Sequence, residues 1–189
     1  SIPRESDAAL YTHPGPEVAV ASTKAFVAQI TAASLPGLYL AQVKGAMFRD
    51  EIHQVLDSLK DMPRKIQWVL DTQPKTIQAA AERMVNANSF LFLGRHVGYP
   101  VALEGALKLK EIAYTVPEGF AAGELKHGPI ALVDEGEPVV FIVPPQRGRN
   151  VLHAKVISGI EEVKARGAYI IAVAEQGDPD VERYADVVF

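Results

Sequence analysis

From Ser89 onward the chain alternates short, continuously apolar runs with helical stretches, and this pattern constrains the fold more than any other feature. The order is SFLFLG (89–94), a turn RHVG, a helix from Tyr99 to Tyr114, an irregular loop, PVVFIVP (138–144), a helix from Val151 to Arg166, AYIIAVA (168–174), a short helix near Asp180, and DVVF (186–189). Strands that are apolar at every position, rather than at every second one, are covered on both faces, and helices between them return the chain so that the strands run parallel. Right-handed crossovers then place helices above and below the sheet. The pattern predicts an α/β fold of three layers built on a parallel sheet.

The first half of the chain carries no strand signal. SIPRESDAALYTHPGPEV holds a Pro-containing turn, a short apolar run from Ala8 to Thr12 and a second turn, and is expected to lie inside a fold that begins earlier. VASTKAF follows, where Ser22 or Thr23 can cap a long apolar helix that runs to about Gly45, with Pro36 expected to kink it. Two hydroxyls and Lys24 beside the free N–H groups of a helix start suit either an ordinary cap or an anchor for a polar or anionic ligand. Phe48 to Asp61 and Arg64 to Thr72 read as amphipathic helices broken at Pro63, and Pro74 starts another through about Asn86. His53 in this polar connector reads as a surface histidine. The expected division is residues 1–60 as the end of one domain, 61–86 as a helical connector and 87–189 as a second domain. The chain closes on a strand with nothing to cover it, so truncation at both ends is expected.

The helix from Tyr99 is apolar nearly all round yet carries Glu104, Lys108 and Glu111 at spacings of four and three. At about 100° per residue these three fall within roughly 60° of each other, flanked by Val101 and Ile112 on one side and Leu103 and Leu107 on the other. Charges confined to a narrow stripe on a buried helix require a cleft, an ion-pair network or a partner surface. In a cleft, a carboxylate can move a proton at a carbon next to a carbonyl while a neighbouring ammonium holds the developing oxyanion. Two ordinary helix salt bridges explain the same spacing.

Two further stretches bear on chemistry. Gly94 to Gly98 sits at the carboxyl end of a strand, where open parallel sheets bind ligands. It matches neither GxGxxG nor the phosphate loop that ends in GK[ST], and serves equally well as a tight turn. AAGELKHGPIAL places Glu124, Lys126 and His127 in a loop or helical turn stopped by Gly128-Pro129. Histidine is suited to opening a sugar ring or exchanging protons near neutral pH, although a lone loop histidine is more often structural. His13, His96 and His153 have less to recommend them.

Composition removes several classes. A formal net charge of -4 with dispersed Lys and Arg leaves no basic footprint for nucleic acid. Absence of cysteine excludes disulfides and thiol chemistry and suits a cytoplasmic setting. No HExxH or clustered histidine indicates a metal, and no cofactor motif is present. No run approaches the 18 apolar residues that a membrane span needs, and the start lacks the pattern of a signal peptide.

VASTKAF, LEGALKLKEIAY and AAGELKHGP, in this order and at these separations, closely resemble the isomerase part of the glutamine:fructose-6-phosphate aminotransferases, also called glucosamine-6-phosphate synthases. The resemblance covers essentially the whole chain. It implies two sugar-isomerase (SIS) domains of flavodoxin-like α/β fold, of which this chain would hold the helical tail of the first, the connector and most of the second. It implies formation of glucosamine 6-phosphate from fructose 6-phosphate and ammonia, the ammonia supplied by a glutaminase domain outside this chain. By motif position, Glu111 matches the base that moves a proton between sugar C1 and C2, and Lys108 and Glu104 match its neighbours. His127 matches the histidine that assists ring opening from the other subunit of a homodimer. Val20 and Ser22 match positions lining the sugar.

The phosphate-holding loop of the first SIS domain and the Schiff-base lysine of the family's C-terminal tail have no counterpart in these 189 residues, so the chain alone is expected not to make glucosamine 6-phosphate. Val116-Pro117 departs from the His-Ala or His-Ser pair of the family. Two other readings stay open at this level: a phosphosugar-binding SIS module without chemistry, and an SIS sugar-phosphate isomerase or deaminase without a glutaminase.

Overall fold

A computed structural model describes residues 2–146 and 150–189, which form two compact units, 1–72 and 73–189. In the first unit a helical turn α1 (Ile2–Glu5) precedes an irregular segment, then α2 (Lys24–Val43) and α3 (Arg49–Thr72), which touch each other. The start of α2 differs from expectation. Thr23 occupies the capping position, but its side chain makes no capping hydrogen bond. The carboxylate of Glu17 accepts instead, from Thr23 N at 3.4 Å and Ala25 N at 3.2 Å, because an anion from the preceding segment satisfies the free N–H groups as well as a local hydroxyl does.

α3 runs unbroken through Pro63, where a break was expected. Proline removes one backbone donor, yet Pro63 is exposed, so water can satisfy the carbonyl left free one turn earlier. A bidentate Arg64–Asp61 pair, at 2.7 and 2.8 Å, straddles the proline, and Lys65 reaches Asp61 at 3.6 Å. Arg64 foremost holds the Asp61 carboxyl below its ordinary pKa. His53 is exposed, as expected. α2 corrects the reading that no segment could span a membrane. By length and composition alone it is able to cross one, because Gln29, Thr31 and Ser34 interrupt its apolar run without lowering its average enough to exclude it, and none of its residues is buried.

The second unit holds α4 (Pro74–Arg83), β1 (Ser89–Gly94), α5 (Gly98–Ala113), β2 (Val116–Ala121), β3 (Pro138–Ile142), α6 (Asn150–Lys164), β4 (Tyr169–Val173), α7 (Pro179–Glu182) and β5 (Val187–Val188), with two 3₁₀ turns, Leu125–His127 and Pro129–Leu132, between β2 and β3. Among the described residues the sheet has five parallel strands in the order β2-β1-β3-β4-β5. This is the flavodoxin-like order.

The stretch expected as irregular contains the edge strand β2. Its Pro and Gly concealed it, since proline cannot donate to a ladder. Val116 N donates to Asn88 O at 3.1 Å and Ala122 N to Gly94 O at 2.9 Å, so the alternate position, Pro117, turns its missing N–H to the open edge. Leu103 lies over the same strand, and a Cβ on Gly119 would come within 2.7 Å of its Cδ2.

Because β1 leads leftward to β2 and β3 rightward to β4, right-handed crossovers put α5 and α6 on opposite faces. Side-chain alternation along the strands agrees. Phe92 meets α5 at Gly105, and Phe141 meets α6 at Gly159. The α6 face carries the main core, with Leu91, Leu93, Val139, Phe141 and Ile170 against Val156, Ile160 and Val163. α5 buries only Gly98, Ala102 and Ala106, so the helix expected to be covered nearly all round shows its flanks, Val101, Leu103, Leu107 and Ile112, to solvent.

Candidate functional site

The stripe on α5 forms as its spacing requires. Lys108 Nζ lies 2.8 Å from Glu111 Oε2 and 3.4 Å from Glu104 Oε1, with the three side chains 21–27% exposed. One ammonium thus sits between two carboxylates on a partly dry surface. Hydrogen bonding to Glu111, opposed by burial and reinforced by Glu104, raises the Lys108 pKa above its ordinary value. A raised ammonium stays charged at neutral pH, so Lys108 can donate hydrogen bonds and stabilise negative charge but cannot act as a base there. The proton acceptors of the group are the two carboxylates.

α5 runs back from the carboxyl edge of the sheet, so at about 1.5 Å per residue Glu111 lies roughly 20 Å along the axis from Gly98, toward the edge where the strands begin. Tyr114, in the left-handed conformation at φ 56°, ends the helix directly after it. His127 is exposed on the 3₁₀ turn that follows the carboxyl end of β2. Glu111 and His127 of one chain therefore stand at opposite edges of the sheet, and the structure does not bring them together. Val20, strongly exposed, and Ser22, half-buried, belong to the other compact unit.

The loop after β1 is a tight turn. A Cβ on Gly94 would lie 2.1 Å from Gly98 O, so only glycine permits the chain to double back there. Arg95 and His96 project from this turn, with His96 left-handed at φ 53°. Arg95 Nη2 donates to Ala122 O at 3.5 Å, and its Nε is buried with no hydrogen-bond partner.

Sequence reasoning gave His153 no role, and the structure gives it a structural one. It is buried in α6 and its Nε2 lies 2.7 Å from Asp178 Oδ2. Asp178 Oδ1 in turn accepts from Asp180 N and Val181 N at the start of α7. The ligand atoms of His153, Asp178 and Asp180 fall within 4.8 Å of one another, a spacing that could hold a metal, but His153 Nε2 and both oxygens of Asp178 are already engaged in hydrogen bonds within the protein. The signal available in the sequence was the inward spacing of His153 with Val156, Ile160 and Val163; its partner, 25 residues away, was not legible.

Residues 83–189 match the SIS domain family. The chain is 65% identical over 186 residues to a Corynebacterium diphtheriae protein named glutamine--fructose-6-phosphate aminotransferase [isomerizing], covering 98% of this chain and 30% of that protein. A Streptomyces coelicolor protein of the same name is 58% identical over 186 residues, with the same shares covered. Among solved structures, the C-terminal domain of glucosamine-fructose-6-phosphate aminotransferase from Francisella tularensis superposes with a TM-score of 0.90 at 37% identity, over 100% of this chain and 52% of that one. The chain spans about a third of the length of the curated relatives it matches. Five parallel strands in flavodoxin-like order, and a family match across the unit that contains them, lead to one conclusion: the chain belongs to the SIS domain family.

Proposed function

We propose that this chain carries the proton-transfer part of the isomerase site of a glutamine:fructose-6-phosphate aminotransferase, acting on fructose 6-phosphate to form glucosamine 6-phosphate. The observation that carries the reading is Lys108 held between Glu104 and Glu111 on a half-dry stripe of α5. Glu111 removes a proton from sugar C1 and returns it at C2. Lys108, charged at neutral pH, stabilises negative charge that develops on oxygen, and Glu104 keeps it in position.

Residues 1–60 are the end of a first SIS domain, 61–86 the connector and 87–189 the second domain. Val20 and Ser22 line the sugar from the first of these. His127 serves the site of a second copy in a homodimer, a role supported by its distance from Glu111 within one chain. A glutaminase domain of the longer protein supplies ammonia, and the reaction belongs to amino-sugar synthesis in the cytoplasm. No metal, cofactor, nucleic acid or membrane takes part. The uncovered α2 is then a packing surface for the rest of the enzyme rather than a membrane span, a reading supported by the enzyme names of its relatives.

The test uses the longer protein that contains this chain. Glu111→Gln is expected to lower turnover by about a hundred- to ten-thousand-fold while fructose 6-phosphate affinity stays within a few-fold. Turnover equal to wild type would rule Glu111 out as the base.

A further inference from the structure

The first turn of α2 is closed by a residue from outside the helix. A capping side chain accepts from the second or third helical N–H. The Glu17 carboxylate takes that place, accepting from Ala25 N at 3.2 Å and from Thr23 N at 3.4 Å. Lys24 Nζ donates to Pro16 O across the same gap. Residues 18–22 therefore form a short loop pinned at both ends, with Ala21 buried and Val18 and Val20 97% and 87% exposed. The donor that the Thr23 hydroxyl would bond is taken. Among the described residues, neither Thr23 Oγ1 nor Ser22 Oγ has a hydrogen-bond partner. Hydroxyls beside a helix start otherwise turn back to the backbone.

We propose that Glu17 is a positioning residue for the substrate: by capping α2 in place of Thr23, it fixes the 18–22 loop and leaves the Ser22 and Thr23 hydroxyls to hydrogen-bond hydroxyl groups of the sugar. This role rests on the proposed placing of Val20 and Ser22 along the sugar, to which it adds Glu17 and Thr23. Each hydroxyl offers one donor and two acceptor sites, the complement of a polyol. An anion is suited to the cap because it also meets the positive end of the helix dipole. A loop that is ordered before the sugar arrives lowers the ordering cost of binding. Glu17 itself spends both oxygens on backbone N–H groups, so it acts on affinity and not on the proton-transfer step.

The test uses the longer protein, with KM and kcat measured for fructose 6-phosphate at saturating glutamine. Glu17→Ala is expected to raise KM about tenfold and to leave kcat within about twofold. Glu17→Gln, which keeps one acceptor oxygen, should raise KM about threefold. Thr23→Val should raise KM by itself. Glu17→Ala added to it should raise KM by less than the product of the two separate changes, because the hydroxyl that would swing back to the cap is gone. Thermal melts accompany each variant, and where Glu17→Ala melts more than about 2 °C below wild type, Glu17→Gln carries the comparison. An unchanged KM in these Glu17 variants, or a double variant whose KM change equals the product, would overturn the proposal. Wild-type turnover in Glu111→Gln beside a raised KM in Glu17→Ala would remove the proposed base and leave Glu17 its role. Lost turnover in Glu111→Gln beside a wild-type KM in Glu17→Ala would remove the role of Glu17 alone.

Discussion

The two faces of the sheet are built to different standards. On the α6 side, Leu93, Val139, Phe141, Val156, Ile160, Val163 and Ile170 are fully buried, and the buried His153–Asp178 pair ties α6 to the loop before α7. On the α5 side the contact is made by Gly98, Ala102 and Ala106, which bring the helix close while burying little apolar area, and the larger flanking residues face outward. The half-buried charges lie on the second helix. One face holds the fold together; the other keeps the ion-paired Glu104, Lys108 and Glu111 at the surface, where a carboxylate can be partly desolvated without the cost of full burial.

The contrast can be broken most directly at Phe141. Phe141→Ala removes a fully buried ring from the α6 face and is expected to cost about 3–5 kcal/mol in denaturant-melt stability. A loss below about 1 kcal/mol would show that the two faces contribute alike. His153→Ala, on the same side, leaves Asp178 without one of its partners and should cost about 1–3 kcal/mol by the same melts. Wild-type stability there would mean that the pair does not secure α7. The smallest effect belongs to the α5 side. Ile112→Ser, at a position 64% exposed, should change stability by no more than about 0.5 kcal/mol. Sedimentation of the longer protein then sharpens the comparison: weakened self-association with unchanged stability would mark this flank as part of a contact between copies.

Much of this was legible in the sequence because it depends on local periodicity. SFLFLG is β1 from its first residue to its last, and the helix read from Tyr99 to Tyr114 begins one residue earlier and ends one residue sooner. The 104–108–111 triad forms because i,i+3 and i,i+4 neighbours must meet on any helix. Illegible features were those that depend on what lies across the fold. VPEGFA became a strand because β1 offered an edge on which the missing N–H of Pro117 costs nothing. α3 crossed Pro63 because that residue is exposed and its neighbours pair around it.

The sequence by itself determined the alternation of β1, β3, β4 and β5 with the helices between them, the parallel sheet and the charged stripe, since apolar runs and helical spacing act over a few residues and leave few other solutions. Tertiary structure alone decided which face of each helix is covered, that Glu111 and His127 stand at opposite edges of one sheet, and that His153 finds Asp178. These are contacts between residues far apart in the chain. Their geometry follows from crossover handedness and packing, which no local pattern encodes.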